Sequence, residues 1–456
     1  MMNAPVKMRK IVLLLGDIGV LYLALAATLV ARYREIDPYL WGLHWPIFTL
    51  VFLLWLMIFY ANGLYDLEVA RNNLGFVRKF SISLAVAFAV AIGVFYLFPV
   101  VIAPRRNLFL DLAVVAALLP LWRYAANHLF RGAVLGSRVL CIGGTPEMIK
   151  LARILATSPQ LGHTVTALVL PERREHNLPH NLHIVVGLEQ VGQILAEQSV
   201  GLVVLGPEVA SNQELTSTLY QNLARNLATV DMVSLYEEIT RRIPLSIISE
   251  AWFLYNIRET EKRTYDAAKR VLDLWGSIAL GAVFLITLPI FALIITADSY
   301  GPIFFTQKRV GRHGNTFTMW KYRTMMRHAE QTGPQFTTQG DKRVTRVGKY
   351  LRLLRLDELP QAINILRGDM SFVGPRPERP EFVSGLTGEL PFYPVRHLIK
   401  PGLTGWAQLQ NPYYATLSEQ LEKLQYDLYY VKNRSLVLDV AILIKTANVV
   451  LRGRGR

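Results

Sequence analysis

Asp357 and Glu358 are adjacent carboxylates in LRLLRLDELPQAINILRGDMSFVGPRP, residues 351–377, a stretch that is otherwise apolar and basic. Arg352, Arg355, Arg367 and Arg376 surround them. An ionised carboxylate near a phosphate can bind a divalent cation or attack phosphorus. Residues 344–354 read as a helix with Lys349, Arg352 and Arg355 on or near one side. Asp357 reads as the N-cap of a second helix, because Pro360 is tolerated within a first turn and not deeper. At that positive helix end a carboxylate stays ionised and a phosphate is attracted to the same spot. Taken alone, the pair is better explained as plain capping, with Glu358 a first-turn dipole partner.

Three other stretches change that balance. FFTQKRVGRHGNTFTMWKYRTM, residues 304–325, gathers Lys308, Arg309, Arg312, Lys321 and Arg323 around two glycines and several aromatics. Such a cluster suits a diphosphate with a stacked base, or a basic hairpin resting on lipid headgroups. RGDMSFVGPRP supplies Asp369 and then Arg376 between Pro375 and Pro377. A stiff backbone on both sides lowers the ordering entropy of a phosphate clamp; the alternative is a rigid turn whose arginine pairs with a structural acid. KPGLTGWAQLQNPYY, residues 400–414, is a loop with turn signals at both ends, followed by Asp427 in LQYDLYYVKN. An ordinary surface loop packed by Trp406 fits it as well.

The elements that must position these groups divide into three parts. The chain of 456 residues is 52% apolar, with positive mean hydropathy and a formal charge of +15. The apolar content points to membrane segments. Basic groups beside apolar runs favour anionic headgroups and phosphate substrates over nucleic acid. Four apolar runs (11–31, 45–60, 80–101 and 108–130) approach the ~20 residues a bilayer core requires, which predicts a four-helix transmembrane bundle over 1–135. Lysines and arginines before the first run, between the second and third, and after the fourth put both ends of the bundle in the cytoplasm. Asp17 and Asp111 fall within or near the spans, where interhelical polar contacts explain them better than a pathway does. Residues 136–250 alternate strand and helix patterns, which predicts a small Rossmann-like parallel α/β domain. Its turn IGGTPE lacks the full GxGxxG and is weak evidence for a nucleotide. The single Cys141, flanked by strand-like residues, reads as a buried thiol, and nine histidines show no zinc spacing.

A mainly helical C-terminal domain is expected over 258–456, opened by a fifth apolar run at 271–297. Both flanks of that run are basic, so both look cytoplasmic, and Pro289 inside it removes a helical hydrogen bond. A re-entrant helix that breaks at Pro289 satisfies both facts; an ordinary fifth span would place the last domain outside, away from nucleotide-activated substrates. Near the C-terminus, Leu436, Val437, Val440, Leu443 and Ile444 share one helical face that suits a membrane surface or a core.

From about Glu261 to Gly455 the motifs accumulate in order: KRVLDL, the Pro-containing apolar helix, QKRVGRHGNTFTMWKYRTM, RVTRVGKYLRLLRLDELPQAINILRGDMSFVGPRP, KPGLTGWAQ and YDLYYVKNRSLVLDVAIL. This region resembles the bacterial sugar transferase family, the monotopic polyprenyl-phosphate phosphoglycosyl transferases. With the N-terminal parts, the chain looks like the long-form members. The resemblance implies that Asp357 is the nucleophile and Glu358 its dyad partner, with Mg²⁺ or Mn²⁺ as cofactor. The substrates it implies are a UDP-sugar donor and an undecaprenyl phosphate acceptor, with UMP as product. The location it implies is a bacterial inner membrane, with the catalytic domain on the cytoplasmic face and lipids as further partners. Arg309, Lys321, Arg323, Arg352 and Arg376 are the expected phosphate contacts. Asp369 and Asp427 are further candidates, beside Asp357 and Glu358, for metal. QNPYY departs from the VNGR that often follows GWAQ and resembles a branch associated with exopolysaccharide loci, which leaves the sugar open. A homodimer through the α/β domain is a further expectation. Two rivals remain: a membrane-tethered nucleotide-sugar dehydratase or epimerase, for which Tyr265 and Lys269 mimic a Tyr-x-x-x-Lys pair, and a non-catalytic polysaccharide-assembly scaffold.

Overall fold

The computed structural model describes residues 4–35, 37–65, 74–97, 104–131, 137–158, 161–172, 182–222, 227–257, 262–326, 341, 343–410 and 416–451. The chain forms two compact units, Met1–Ile239 and Thr240–Arg456.

The first unit opens with four long apolar helices, α1 (Ala4–Tyr33), α2 (Pro38–Ala61), α3 (Leu74–Leu97) and α4 (Pro104–Arg131). Each is long and apolar enough to cross a membrane. Asp37 starts α2 by accepting the Tyr39 N–H at 3.1 Å, with Pro38 in the first turn. Leu21, Leu25 and Leu29 recur at every fourth residue and are fully buried, whereas Leu14, Leu15 and Leu23 face outward. Asp17 makes an interhelical contact: Arg123 grips its carboxylate through Nε at 3.0 Å and Nη2 at 2.5 Å, and Tyr65 donates to it at 2.7 Å. Asp111 is also buried, with both carboxylate oxygens unpartnered.

The same unit carries a five-stranded parallel sheet. In chain order its elements are β1 (Ser137–Ile142), α5 (Pro146–Thr157), β2 (His163–Leu170), β3 (Ile184–Val186), α6 (Val191–Glu197), β4 (Leu202–Leu205), α7 (Gln213–Gln221), β5 (Ala228–Asp231) and α8 (Met232–Thr240). The strand order is β3-β2-β1-β4-β5, with every pair parallel. Near-continuous Val and Leu runs form these strands because both faces of the sheet are covered. Cys141 lies at 0% exposure in β1, and burial pushes its thiol up to about 12.

The second unit starts at Thr240, earlier than the 250/258 boundary read from the sequence. Ile243, Leu245 and Phe253 bury in a core with Val373, Trp406 and Leu428, and the Ile243 N–H donates to Gln425 O at 3.2 Å. Apolar area removed from water places these residues with the second unit. After α9 (Glu250–Asn256) comes α10 (Arg263–Asp298), a single helix of 36 residues with Pro289 inside it. The expected break at Pro289 does not interrupt the helix. Thr287 Oγ1 donates back to Val283 O at 2.8 Å on the turn before the proline. Val271, Trp275, Ile278, Leu285, Ile286 and Leu293 are exposed on this helix.

The remainder is β6 (Phe304–Val310) and β7 (Thr316–Tyr322), an antiparallel hairpin; α11 (Arg346–Leu353); α12 (Ala362–Arg367); β8 (Ser371–Val373); α13 (Pro380–Glu389); β9 (Gly402–Thr404), parallel to β8; α14 (Trp406–Gln410); α15 (Leu417–Asn433); and α16 (Leu436–Leu451). On α16, Val437, Val440 and Leu443 are exposed while Asp439 and Ile442 are buried. The NPYY residues 411–414 lie outside the described residues. Gly348 lets α11 sit against the end of β7: a Cβ there would lie 2.2 Å from Thr324 O, a backbone atom. Gly348→Ala is expected to cost about 1–3 kcal/mol through this overpacking, read as a lower denaturation midpoint of the purified protein.

Candidate active site

The site is built on a reversal of the chain after α11. Thr345 caps α11 by accepting the Gly348 N–H at 3.0 Å. Arg355 then adopts φ +57, a left-handed conformation uncommon outside glycine, and turns the chain into a 3₁₀ segment, Leu356–Gln361. Arg355, not Asp357, therefore stands at the N-cap position, and Asp357 lies inside the first turn with Pro360. Leu356 and Leu359 pack towards Phe284 and Tyr322. Asn364 fastens the following helix to the hairpin, accepting the Trp320 N–H at 3.1 Å and donating to Thr318 O at 2.7 Å. That side chain sets the dyad against β7, and the sequence reading did not single it out.

Asp357 and Glu358 are each 6% exposed. Three cations converge on one oxygen, Glu358 Oε1: Lys321 Nζ at 3.1 Å, Arg376 Nη2 at 3.3 Å and Arg355 Nη1 at 3.4 Å. Burial alone would raise Glu358, but these three charges outweigh it and hold the carboxyl well below the usual range. Asp357 is pushed the other way. Burial is the main cause, Lys321 opposes it and the neighbouring Glu358 charge adds to it, so its carboxyl is raised. Burial, rather than the helix end, is thus the main influence on the Asp357 carboxyl. Asp357 Oδ1 is buried with no hydrogen-bond partner. Burial lowers the Lys321 ammonium against the pull of Glu358, whereas for Arg376 the attraction of Glu358 outweighs burial and raises it.

The expected phosphate contacts divide into two groups. Lys321, Arg376 and Arg352 lie at the dyad; Arg352 donates through Nε to Thr324 Oγ1 at 2.8 Å, and Asp357, Asp341, Arg343 and Glu358 are among the charges that act on it. Arg323 points elsewhere. It is 6% exposed and donates through Nη2 to Ser299 O and Ile295 O, binding carbonyls at the C-terminal end of α10. Arg309 lies beside the Pro-Arg-Pro turn, donating to Pro377 O at 3.1 Å and approaching Glu378 at 3.7 Å.

The two outlying acids are not at the dyad. Asp369 follows Gly368, which ends α12 at φ +90, and accepts from Asn364 Nδ2 at 3.2 Å. Asp427, 2% exposed, pairs with Arg396 through Nη2 at 2.8 Å and Nε at 3.1 Å. Tyr265 and Lys269 both bind Asp439 Oδ2, at 2.8 and 2.6 Å, so their spacing serves the packing of α10 on α16. In the first unit, the Gly144 and Thr145 N–H groups at the start of α5 donate to Glu208 Oε1 at 2.7 and 3.2 Å. The chain's own carboxylate takes the place a phosphate would have in that turn.

Two side chains of this charged arrangement were missing from the candidates drawn from sequence. Arg355 sits immediately before the dyad and completes the set around Glu358. Glu378 directly follows Pro-Arg-Pro, which is the signal that could have found it; Lys423 and Arg309 are its partners.

The bacterial sugar transferase family profile matches residues 264–453. A UDP-N-acetylgalactosamine-undecaprenyl-phosphate N-acetylgalactosaminephosphotransferase of Aeromonas hydrophila is 44% identical over 191 residues, 42% of this chain and 45% of the relative. A UDP-glucose:undecaprenyl-phosphate glucose-1-phosphate transferase of Caulobacter vibrioides is 40% identical over 190 residues, 41% of this chain and 70% of the relative. EpsL, a sugar transferase of Bacillus subtilis, is 38% identical over 195 residues, 41% of this chain and 89% of the relative. The chain belongs to the bacterial sugar transferase family. The shared stretch spans under half of the Aeromonas protein's own length.

In this sugar transferase the dyad, its three cations and the Pro-Arg-Pro turn all fall inside the matched region. A divalent cation fits the dyad by its donor chemistry. Asp357 Oδ1 has free acceptor capacity, and Mg²⁺ is commonly held by one or two carboxylates together with substrate phosphates. Asp369 and Asp427 do not join that set, and among the described residues no group of three or more His, Cys, Asp or Glu gathers.

Burial alone would raise Glu378, but Lys423, Arg396 and Arg309 outweigh it and hold its carboxyl at about 2. An unfolded glutamate titrates near ~4.3. The folded value is the lower one, so the stabilisation is complete above about pH 5 and is lost as pH falls towards 2. The stability gap between the wild-type transferase and Glu378→Gln should therefore close across that window, as followed by tryptophan fluorescence in acid titrations.

Proposed function

We propose that this transferase moves a sugar-1-phosphate from a UDP-sugar to undecaprenyl or another polyprenyl phosphate, the initiating step of a surface or exopolysaccharide. The observation that carries the reading is the split within the dyad: Glu358 gathers three cations on one oxygen while Asp357 keeps a buried oxygen unpartnered beside them. Asp357 attacks the sugar-linked phosphorus, the phosphoanhydride P–O bond breaks and UMP leaves with the electron pair. A phosphosugar ester of the Asp357 carboxyl remains. The polyprenyl phosphate oxygen then attacks the same phosphorus, and the Asp357 carboxylate is released. Splitting one displacement between bulky anions into two gives each substrate the same site in turn. Lys321, Arg355 and Arg376 hold the donor phosphates, with Arg352 beside Asp357. Bound Mg²⁺ or Mn²⁺ at Asp357 and Glu358 would neutralise phosphate charge and stabilise the leaving group.

The reading extends to the membrane. Four N-terminal helices span as a bundle, and α10 bends at Pro289 without losing its helical continuity, so that it enters and leaves by one face. In support, both ends of α10 are fastened to the same unit: Lys269 to Asp439 and Arg270 to Ile365 O at one end, the Val347 N–H to Asp298 at the other. The catalytic unit would lie on the cytoplasmic face of a bacterial inner membrane. Cysteines placed at the exposed Leu254 and Tyr300 should label from the same side in spheroplasts; labelling from opposite sides would replace re-entry by a fifth span. The sheet domain could pair subunits, which a monomeric mass in nanodiscs would exclude. The reaction itself is tested with purified protein, Mg²⁺, undecaprenyl phosphate and a panel of UDP-sugars. UMP released with one donor supports the function and names the sugar; no UMP from folded protein with any donor overturns it.

A further inference from the structure

We propose that Glu378 is a positioning residue for Arg376, an inference that rests on the transferase reading and identifies what holds its phosphate clamp. Glu378 is 7% exposed. Three successive backbone carbonyls around it are each held by a different partner. Arg376 O accepts from Arg396 Nη2 at 2.8 Å, Pro377 O from Arg309 Nη1 at 3.1 Å and Glu378 O from the Val310 N–H at 2.9 Å. On the preceding side, Gly374 N donates to Thr404 O and Gly402 N donates to Pro375 O, both at 2.9 Å.

Two of these five contacts come from guanidinium groups, and each guanidinium is itself directed by an acid. Arg396 is held by Asp427, and Arg309 faces Glu378 Oε2 at 3.7 Å. The other oxygen of Glu378 is the partner of Lys423 Nζ. Glu378 thus links β6, through Arg309, and α15, through Lys423, to the turn that presents Arg376. Without its charge, Arg309, Lys423 and Arg396 lose the carboxylate that all three act on, while Asp427 stays committed to Arg396. Such an arrangement is costly, and it relaxes by moving the cations and the turn they hold. The arginine at 309 therefore acts on phosphate through the turn, and Arg376 is the group that reaches the dyad.

The test is a double-mutant cycle on the full chain in nanodiscs, with UMP release measured against donor concentration. Glu378→Gln is expected to lower kcat/KM for the donor by about 10- to 100-fold, chiefly through KM, and Glu378→Asp to recover part of it. In an Arg376→Ala background, Glu378→Gln should cost less than about threefold more, because the group it positions is already gone. A full loss in both backgrounds would mean that Glu378 acts independently of Arg376, and the inference would be overturned with the transferase reading intact. If Glu378→Gln does not fold, Glu378→Gln/Lys423→Met removes carboxylate and ammonium together and takes its place in the cycle. Absence of UMP release from folded wild type overturns the function and this inference with it.

Discussion

Asp357→Asn should lower UMP release by about a thousandfold or more, the scale of losing a covalent nucleophile, without lowering stability. The two halves of that expectation come from the same observation. Asp357 Oδ1 has no hydrogen-bond partner, and burial raises the carboxyl, so the native protein carries a burial cost at Asp357 that no hydrogen bond to that oxygen offsets. An isosteric amide removes a charge that burial disfavours and leaves the packing unchanged. Donor turnover checks the first half, and melting of the variant in detergent the second. Intact-mass analysis after incubation with donor, without acceptor, should show a phosphosugar adduct on wild type alone. Turnover within tenfold of wild type would remove Asp357 as nucleophile while leaving the family assignment untouched.

Asp427→Asn should have the opposite signature, a large loss of stability. Asp427 and Arg396 are each 2% exposed and paired through two hydrogen bonds. Removing one partner of a buried pair leaves an uncompensated charge and typically costs about 3–5 kcal/mol. The loss should be the same with and without Mg²⁺, because the carboxylate is committed to Arg396. A loss confined to the Mg²⁺-loaded protein would return Asp427 to the metal set. Arg396 also holds Arg376 O, so residual activity in the surviving folded fraction should fall too.

Local signals carried the architecture well. Apolar runs of spanning length mark the four N-terminal helices, and Val-rich runs between helical patterns mark the parallel strands, because each pattern reports burial of its own element. Lys321, Arg352 and Arg376, picked out as residue types suited to phosphate, come together with Asp357 and Glu358 because short basic stretches are packed side by side in the fold. What failed depends on distant partners. Nothing near Arg323 in sequence says that carbonyls at the end of α10 will claim its donors, 24 and 28 residues away. Asp427 meets Arg396 across 31 residues, and Glu378 meets Lys423 across 45. The start of the second unit was misplaced likewise, since Ile243 and Leu245 have strand-domain neighbours in sequence and catalytic-unit neighbours in space.

Arg355 carries a last consequence. Its φ of +57 is one that glycine adopts freely and that costs an ordinary side chain on the order of 1 kcal/mol. A search for thermostable variants should therefore find Arg355→Gly attractive, since it relieves the backbone at the chain reversal. The same change takes one of the three cations from Glu358. Selection for heat resistance and selection for turnover should pull this single position in opposite directions, a local instance of the trade between a relaxed chain and a working one.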